Sequence, residues 1–442
     1  MLHVGFAEAD ITPKLGSQSP GGMQVRRLNE VHDPLKAVAM VIQNDKAAVA
    51  LVGIDALFIG EEATAGARQA ITAATKIPGT HVLIGASHTH GGGPVATCFE
   101  SDADPEYVEL VTRRVAEAVI SAYHSLHAAE LADGFGHEPS ISFNRRFLMR
   151  DGRQATHPGK GNPDIVKPSG PIDPDVGVLA ARAPGGALLG LFVNFACHLT
   201  VMGGSGFTAD YVYNLRETLR RHYKNPHLPV GFLLGAAGDV TQVDNLRPGR
   251  EFGEEWSSLF GLALGAEVIQ TVGRLTWRND AEISAVQTFV PIPIREPRDR
   301  PHETPGLGLG AGSVADRIYA RESDEVEKER AKRPVVPCEV QAIRIGDLGI
   351  VTNGAEFFCQ LGLDIKAASP MTRTWVVSLA NQWIGYVATP SAYYAGGYEP
   401  RTARSAKMAP WAGQSLVEGS LTALKSIHSG PASTVRRSPP VQ

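Results

Sequence analysis

HVLIGASHTHGGGP, residues 81–94, decides how this chain reads. Its first six residues are an apolar run of strand length, and two histidines and three glycines follow at once. If the chain stays extended there, His88 and His90, two apart, point to the same face. Gly91, Gly92 and Gly93 let backbone and ligand approach closely. Ligands of open α/β sheets gather at the carboxyl ends of strands, so an HxH pair in this place suits a metal or acid–base site. The bland alternative is a structural pair in a turn, and HxH alone is a weak motif.

Working outward, residues 37–43 (AVAMVIQ) and 47–54 (AAVALVGI) read as two strands buried on both faces, joined by a turn at Asn44-Asp45-Lys46. Residues 61–75 are Ala-rich and helical. Asp104-Pro105 supplies an N-cap and a first-turn proline for a helix whose apolar positions are Val108, Val111, Val115, Ala118 and Ala122. Strands are expected at 188–196, 229–239 (a strand running into a loop), 348–354 and 374–380, and helices at 209–223, 254–272 and 355–368. Strands alternating with helices predict an α/β fold of mixed, buried β-sheets covered by helices.

Two stretches interrupt the alternation. Residues 147–176, rich in Pro, Gly and Asp, read as a long ordered loop. Residues 296–337 read as a polar insert, either a solvated helix or a lid. The chain shows no internal repeat and no linker, so residues 1–428 are expected to form one domain, with a disordered tail at 429–442.

The composition is that of a globular protein: 442 residues, 43% hydrophobic, 20% charged, net charge −4. No basic stripe points to nucleic acid, and no run approaches the ~18 apolar residues of a membrane span. Four scattered cysteines without a CxxC read as reduced core residues. The acidic opening, MLHVGFAEAD, does not read as a signal peptide. A cytoplasmic enzyme is the expectation, and a homo-oligomer is compatible with it.

Further candidates lie at other strand ends. His198 follows an apolar strand in FACHLTVMGG. Asp239 and Thr241 lie in GAAGDVTQ, where an Asx turn is the plain alternative. Glu356 sits at an expected helix start, where a carboxylate also simply suits the helix dipole. Residues 381–405 hold four tyrosines without a period. Histidines and a carboxylate converging from separate strands suit a catalytic zinc with an open position.

Five segments in order, GFAEADITP, SHTHGGGP, FACHLTVMG, AAGDVTQ and AEFF, resemble the catalytic domain of the neutral (non-lysosomal) ceramidases. The resemblance covers nearly all of residues 1–428 and is that of a short bacterial-type relative without the family's C-terminal domain. It implies zinc ligands at His88, His198, Glu356 and Tyr386. It implies further that His90 faces the substrate, that Tyr398, twelve residues after Tyr386, and Arg145 of the Asn144-Arg145 pair belong to the site, and that Asp239 orients its loop. Thr241 stands where the family has a serine, which favours attack by water. The function implied is zinc-dependent hydrolysis of an amide bond, or of an ester, in a small molecule more polar than ceramide. The alternatives are a metal-dependent isomerase or lyase acting on a hydroxylated substrate, and a zinc-binding relative without catalysis.

Overall fold

The computed structural model describes residues 1–204, 206–297 and 314–428. Its chain runs through one pattern three times: three strands in an antiparallel meander, a helix, a fourth strand parallel to the third, and a second helix. The first unit has strands His3–Asp10, Lys36–Gln43, Ala48–Ile54 and Val82–Ala86, with helices Glu61–Thr75 and Pro105–His124. The second has strands Glu130–His137, Asp175–Arg182, Leu188–Phe195 and Val230–Leu234, with helices Tyr211–His222 and Glu254–Val272. The third has strands Ile283–Pro293, Val335–Ile345, Leu348–Thr352 and Arg373–Val377, with helices Cys359–Ala368 and Ala412–His428.

Pairing is the same in all three: first with second and second with third antiparallel, third with fourth parallel. A parallel neighbour needs a crossover, and the helix between third and fourth strands supplies it. This repeat corrects the expectation of none. What recurs is an order of hydrogen bonding, which different residues satisfy.

The three sheets share one apolar centre. Val38, Met40 and Leu83 reach it from the first, Leu179, Phe192 and Leu233 from the second, and Ile343, Ile350 and Trp375 from the third. Successive strand residues alternate in direction, so Ala37, Ala39 and Val41 face the other way, toward Ile71, Val111 and Val115 of the helices. The AVAMVIQ run is therefore apolar throughout because both its faces are buried. Leu361, Leu416 and Leu424 cover the outer face of the third sheet.

The long excursions fall between first and second strands of each unit. The stretch 147–176, expected as a loop, instead carries a three-stranded ladder of Arg146–Met149, Gln154–Thr156 and Ile165–Pro168. Of the 296–337 stretch, Val314–Lys332 is a helix that buries Ala315, Ile318, Tyr319, Glu322 and Val326, so its inner face is packed. Val335 already opens the next strand. Residues 298–313 and the tail 429–442 lie outside the described residues. Among those residues, no helix is long and apolar enough to cross a membrane.

Candidate metal centre

The carboxyl ends of the three sheets meet. Ala86 N–H donates to Leu379 O (3.1 Å), Ser378 N–H to Leu234 O (2.9 Å) and Gly238 N–H to Phe357 O (2.8 Å). Each unit contributes to the junction. His88 follows the fourth strand of the first, His198 the third strand of the second, and Glu356 the third strand of the third.

The strand before His88 ends at Ala86, and His88 itself is left-handed with φ 70°. The extended geometry assumed for the HxH pair therefore does not hold. The bend still brings the rings together, with centroids of His88 and His90 4.9 Å apart and of His88 and His198 4.7 Å apart. The glycines serve packing. A Cβ on Gly91 would lie 2.6 Å from Thr208, and one on Gly93 2.3 Å from the Tyr107 ring.

Backbone carbonyls fix both buried imidazoles. His88 Nδ1 donates to Leu57 O at 2.8 Å, and His198 Nδ1 to Ala237 O at 2.7 Å. With Nδ1 carrying the proton, Nε2 of each presents a lone pair inward, the tautomer a metal ligand needs. Glu356 Oε2 lies 3.3 Å from His88 Nε2 and 3.7 Å from His198 Nε2. His88 Nε2 and His90 Nε2 are buried without a hydrogen-bond partner. Ligand atoms of His88, His90 and His198 all lie within 4.8 Å of one another. Orphaned buried nitrogens around a carboxylate are costly unless something else binds them, and a divalent cation fits this donor set.

The charges agree. Burial alone would raise the Glu356 carboxyl, but His88 and His198 outweigh it and hold it below the usual carboxylate range. Burial, then Arg145, brings His198 down to about 4. Burial and the two neighbouring histidines hold His90 well below the ordinary imidazole value, so it is neutral near pH 7.

Glu356 does not open a helix as expected. It lies in the short strand Ala355–Phe357, which pairs in parallel with Gly385–Val387 and sets Glu356 opposite Tyr386. The Tyr386 hydroxyl is 3.5 Å from His198 Nε2 and accepts from Arg145 Nη2 at 3.1 Å. Burial and the Glu356 charge push its phenol well up. Arg145 Nη1 stands 3.4 Å from His198 Nε2. Tyr398 edges the Tyr386 ring at 5.9 Å, and the Arg145 guanidinium lies 5.9 Å over the Tyr398 ring.

Asp239 ties loops together. Its carboxylate accepts from Asn144 Nδ2 (2.7 Å) and from Cys359 N–H at the start of a helix (2.8 Å), and its carbonyl accepts from Arg145 N–H (2.9 Å). The Thr241 hydroxyl accepts from Val243 N–H at 3.2 Å, a local turn bond.

The sequence reading missed two charged residues. Glu399 is fully buried and pairs with Arg145 at 2.8 Å and Arg146 at 2.5 Å. Arg26, from the first long excursion, donates to the carbonyl of His90. Glu399 directly follows Tyr398 in an aromatic stretch, a setting that could have marked a buried carboxylate. Nothing near Arg26 in the sequence signals its place.

The fold is that of the neutral ceramidases, a mixed α/β architecture that the chain shares over almost its whole length. In particular, it is similar to a ceramidase complexed with C2, with TM-score 0.74, 19% identity, and coverage of 97% of this chain and 75% of that one. It is similar also to the neutral ceramidase from Pseudomonas aeruginosa, with TM-score 0.74, 20% identity, and coverage of 97% and 74%. No protein-family model and no curated protein matches the sequence.

Proposed function

We propose that this chain is a zinc-dependent hydrolase of amide bonds, with His88, His198, Glu356 and Tyr386 as the residues that hold the metal. The observation that carries the reading is the pair of Nδ1-anchored imidazoles whose Nε2 atoms face one buried carboxylate. The shared fold with ceramidases supports an amide as the substrate bond. A zinc ion bound there would supply Lewis-acid activation of water and of the scissile carbonyl.

The chain's own groups have defined tasks. His90, neutral and with its Nε2 free, takes up a proton there as water attacks and returns it to the leaving nitrogen. Arg145 offers Nη1 to the developing oxyanion, and Glu399 fixes its guanidinium from the opposite side. Tyr398 lies beside them, its ring edging Tyr386 and lying under the Arg145 guanidinium. Asp239 holds Asn144 and Arg145 in register with the helix that follows Glu356. Thr241 keeps a structural hydroxyl, so water is the nucleophile.

Hydrolysis of a panel of N-acyl compounds in ¹⁸O-labelled water tests this. Label in the carboxylate product, lost on chelation and restored by zinc, is expected. Movement of carbon-bound hydrogen without label uptake would replace hydrolysis by isomerisation.

A further inference from the structure

Arg26 stands over the cluster. Its loop packs directly on His90: Gly21 has φ +116°, and a Cβ there would lie 2.8 Å from His90 Nδ1. From this loop the guanidinium reaches the His90 carbonyl, Ser19 Oγ at 3.1 Å and Gly204 O at 3.4 Å. All three acceptors are neutral. Among the described residues no carboxylate forms an ion pair with Arg26, whereas Arg145 and Arg146 share Glu399, Arg404 has Glu322 and Arg401 has Asp316.

Arg26 is half-buried, and withdrawing a cation from water even in part without a counter-charge has a cost. Burial accordingly lowers the affinity of Arg26 for its proton, with no nearby anion to offset it. The surrounding charges do not supply the missing anion. Glu399 is shared by Arg145 and Arg146, and Glu356 is engaged with His88 and His198, so neither carboxylate is paired with Arg26. A neutral amide would leave Arg26 without a counter-charge, and an amide bearing a carboxylate would supply one.

We propose that the substrate carries a carboxylate near the scissile amide and that Arg26 is the residue that binds it. The inference rests on the amide-hydrolase reading and narrows its substrate class to N-acylated acids. A guanidinium fork matches a carboxylate in shape as well as charge. The neutral oxygens now holding Arg26 keep it oriented for that contact.

The test uses matched pairs, N-acylglycines from acetyl to lauroyl and the corresponding N-acylglycinamides, which differ in the carboxylate alone. The zinc-loaded full chain is expected to favour the acids by about ten- to a hundredfold in kcat/KM, the range for a hydrogen-bonded charge. Arg26→Gln should abolish the preference, chiefly through the KM of the acids, and Arg26→Lys should restore part of it. Calorimetric titration of the acids into metal-stripped protein should show weaker binding in Arg26→Gln. Glycinamides cleaved as well as the acids, with a ratio unmoved by Arg26→Gln, would overturn the inference and leave the hydrolase reading standing. Equal losses on both members of every pair, together with a lowered melting temperature, would make Arg26 a structural strap and also overturn it. Absence of turnover on all pairs, and on neutral amides, would remove the hydrolase reading and this inference with it.

Discussion

Glu356 and Tyr386 are register partners in a two-stranded parallel ladder, so backbone hydrogen bonding alone places a carboxylate and a phenol side by side. The ladder joins the end of one strand of the third sheet to the loop beyond the next. Tyr386→Phe keeps the ladder and the ring and removes only the oxygen. It should lower zinc affinity by at least about tenfold, the lower end for loss of a group around a metal. Competition with a chelator measures this, and unchanged affinity would take Tyr386 out of the ligand set.

Gly385 makes that ladder possible. Its φ is +82°, and a Cβ there would lie 2.4 Å from the Ser405 carbonyl oxygen. Gly385→Ala therefore combines backbone strain of about 1–3 kcal/mol with a clash against main chain. The expected result is a lower melting temperature together with weaker zinc binding, because Tyr386 is the next residue. A variant with unchanged stability would show that the two strands can separate freely.

Glu399 sits between Arg145 and Arg146, and Thr156 donates to it as well at 2.8 Å. Glu399→Gln leaves two buried guanidinium groups short of an anion and should cost about 3–5 kcal/mol. Burial alone would raise the Glu399 carboxyl, but Arg146 and Arg145 outweigh it and hold it at about 2, against an ordinary 4.5. A depressed carboxyl stabilises the fold fully above its unfolded value and loses that contribution as pH falls through the folded one. The stability gap between wild type and Glu399→Gln should thus be constant above pH 4.5 and close as pH falls toward about 2. Denaturant titrations across that range check the sign.

His90 and His88 should separate metal binding from turnover. His90→Gln is expected to retain zinc and to lose about 10²- to 10⁴-fold in kcat, the usual yield of acid–base catalysis. His88→Ala should lose both. Loss of zinc in His90→Gln would add His90 to the ligands, as its position within 4.8 Å of the other two ligand nitrogens permits.

Much of the fold was legible because burial on two faces leaves uninterrupted apolar runs. AVAMVIQ and the helices at 61–75 and 254–272 fall where their patterns place them. The strands Glu130–His137 and Ile283–Pro293 were not legible: they carry many half-exposed residues, which break the run. The helix Val314–Lys332 looked solvated because its charges are dense, yet Glu322 is turned inward to Arg404 and Lys407 reaches up to Glu329. Formal charge in a sequence does not say which side chains find partners. At the site, strand ends marked His88 and His198. Glu356 reads as a helix start but lies in a three-residue strand, which has no period to read. Arg26 and Glu399 act through partners more than sixty residues away in the chain, and no local pattern encodes such a pairing.

The most direct test is a crystal structure of the purified protein with anomalous data collected at the zinc edge. One zinc ion bound by His88 Nε2, His198 Nε2, Glu356 and Tyr386 is the expected result. A fully active protein with no metal at that junction would contradict the account.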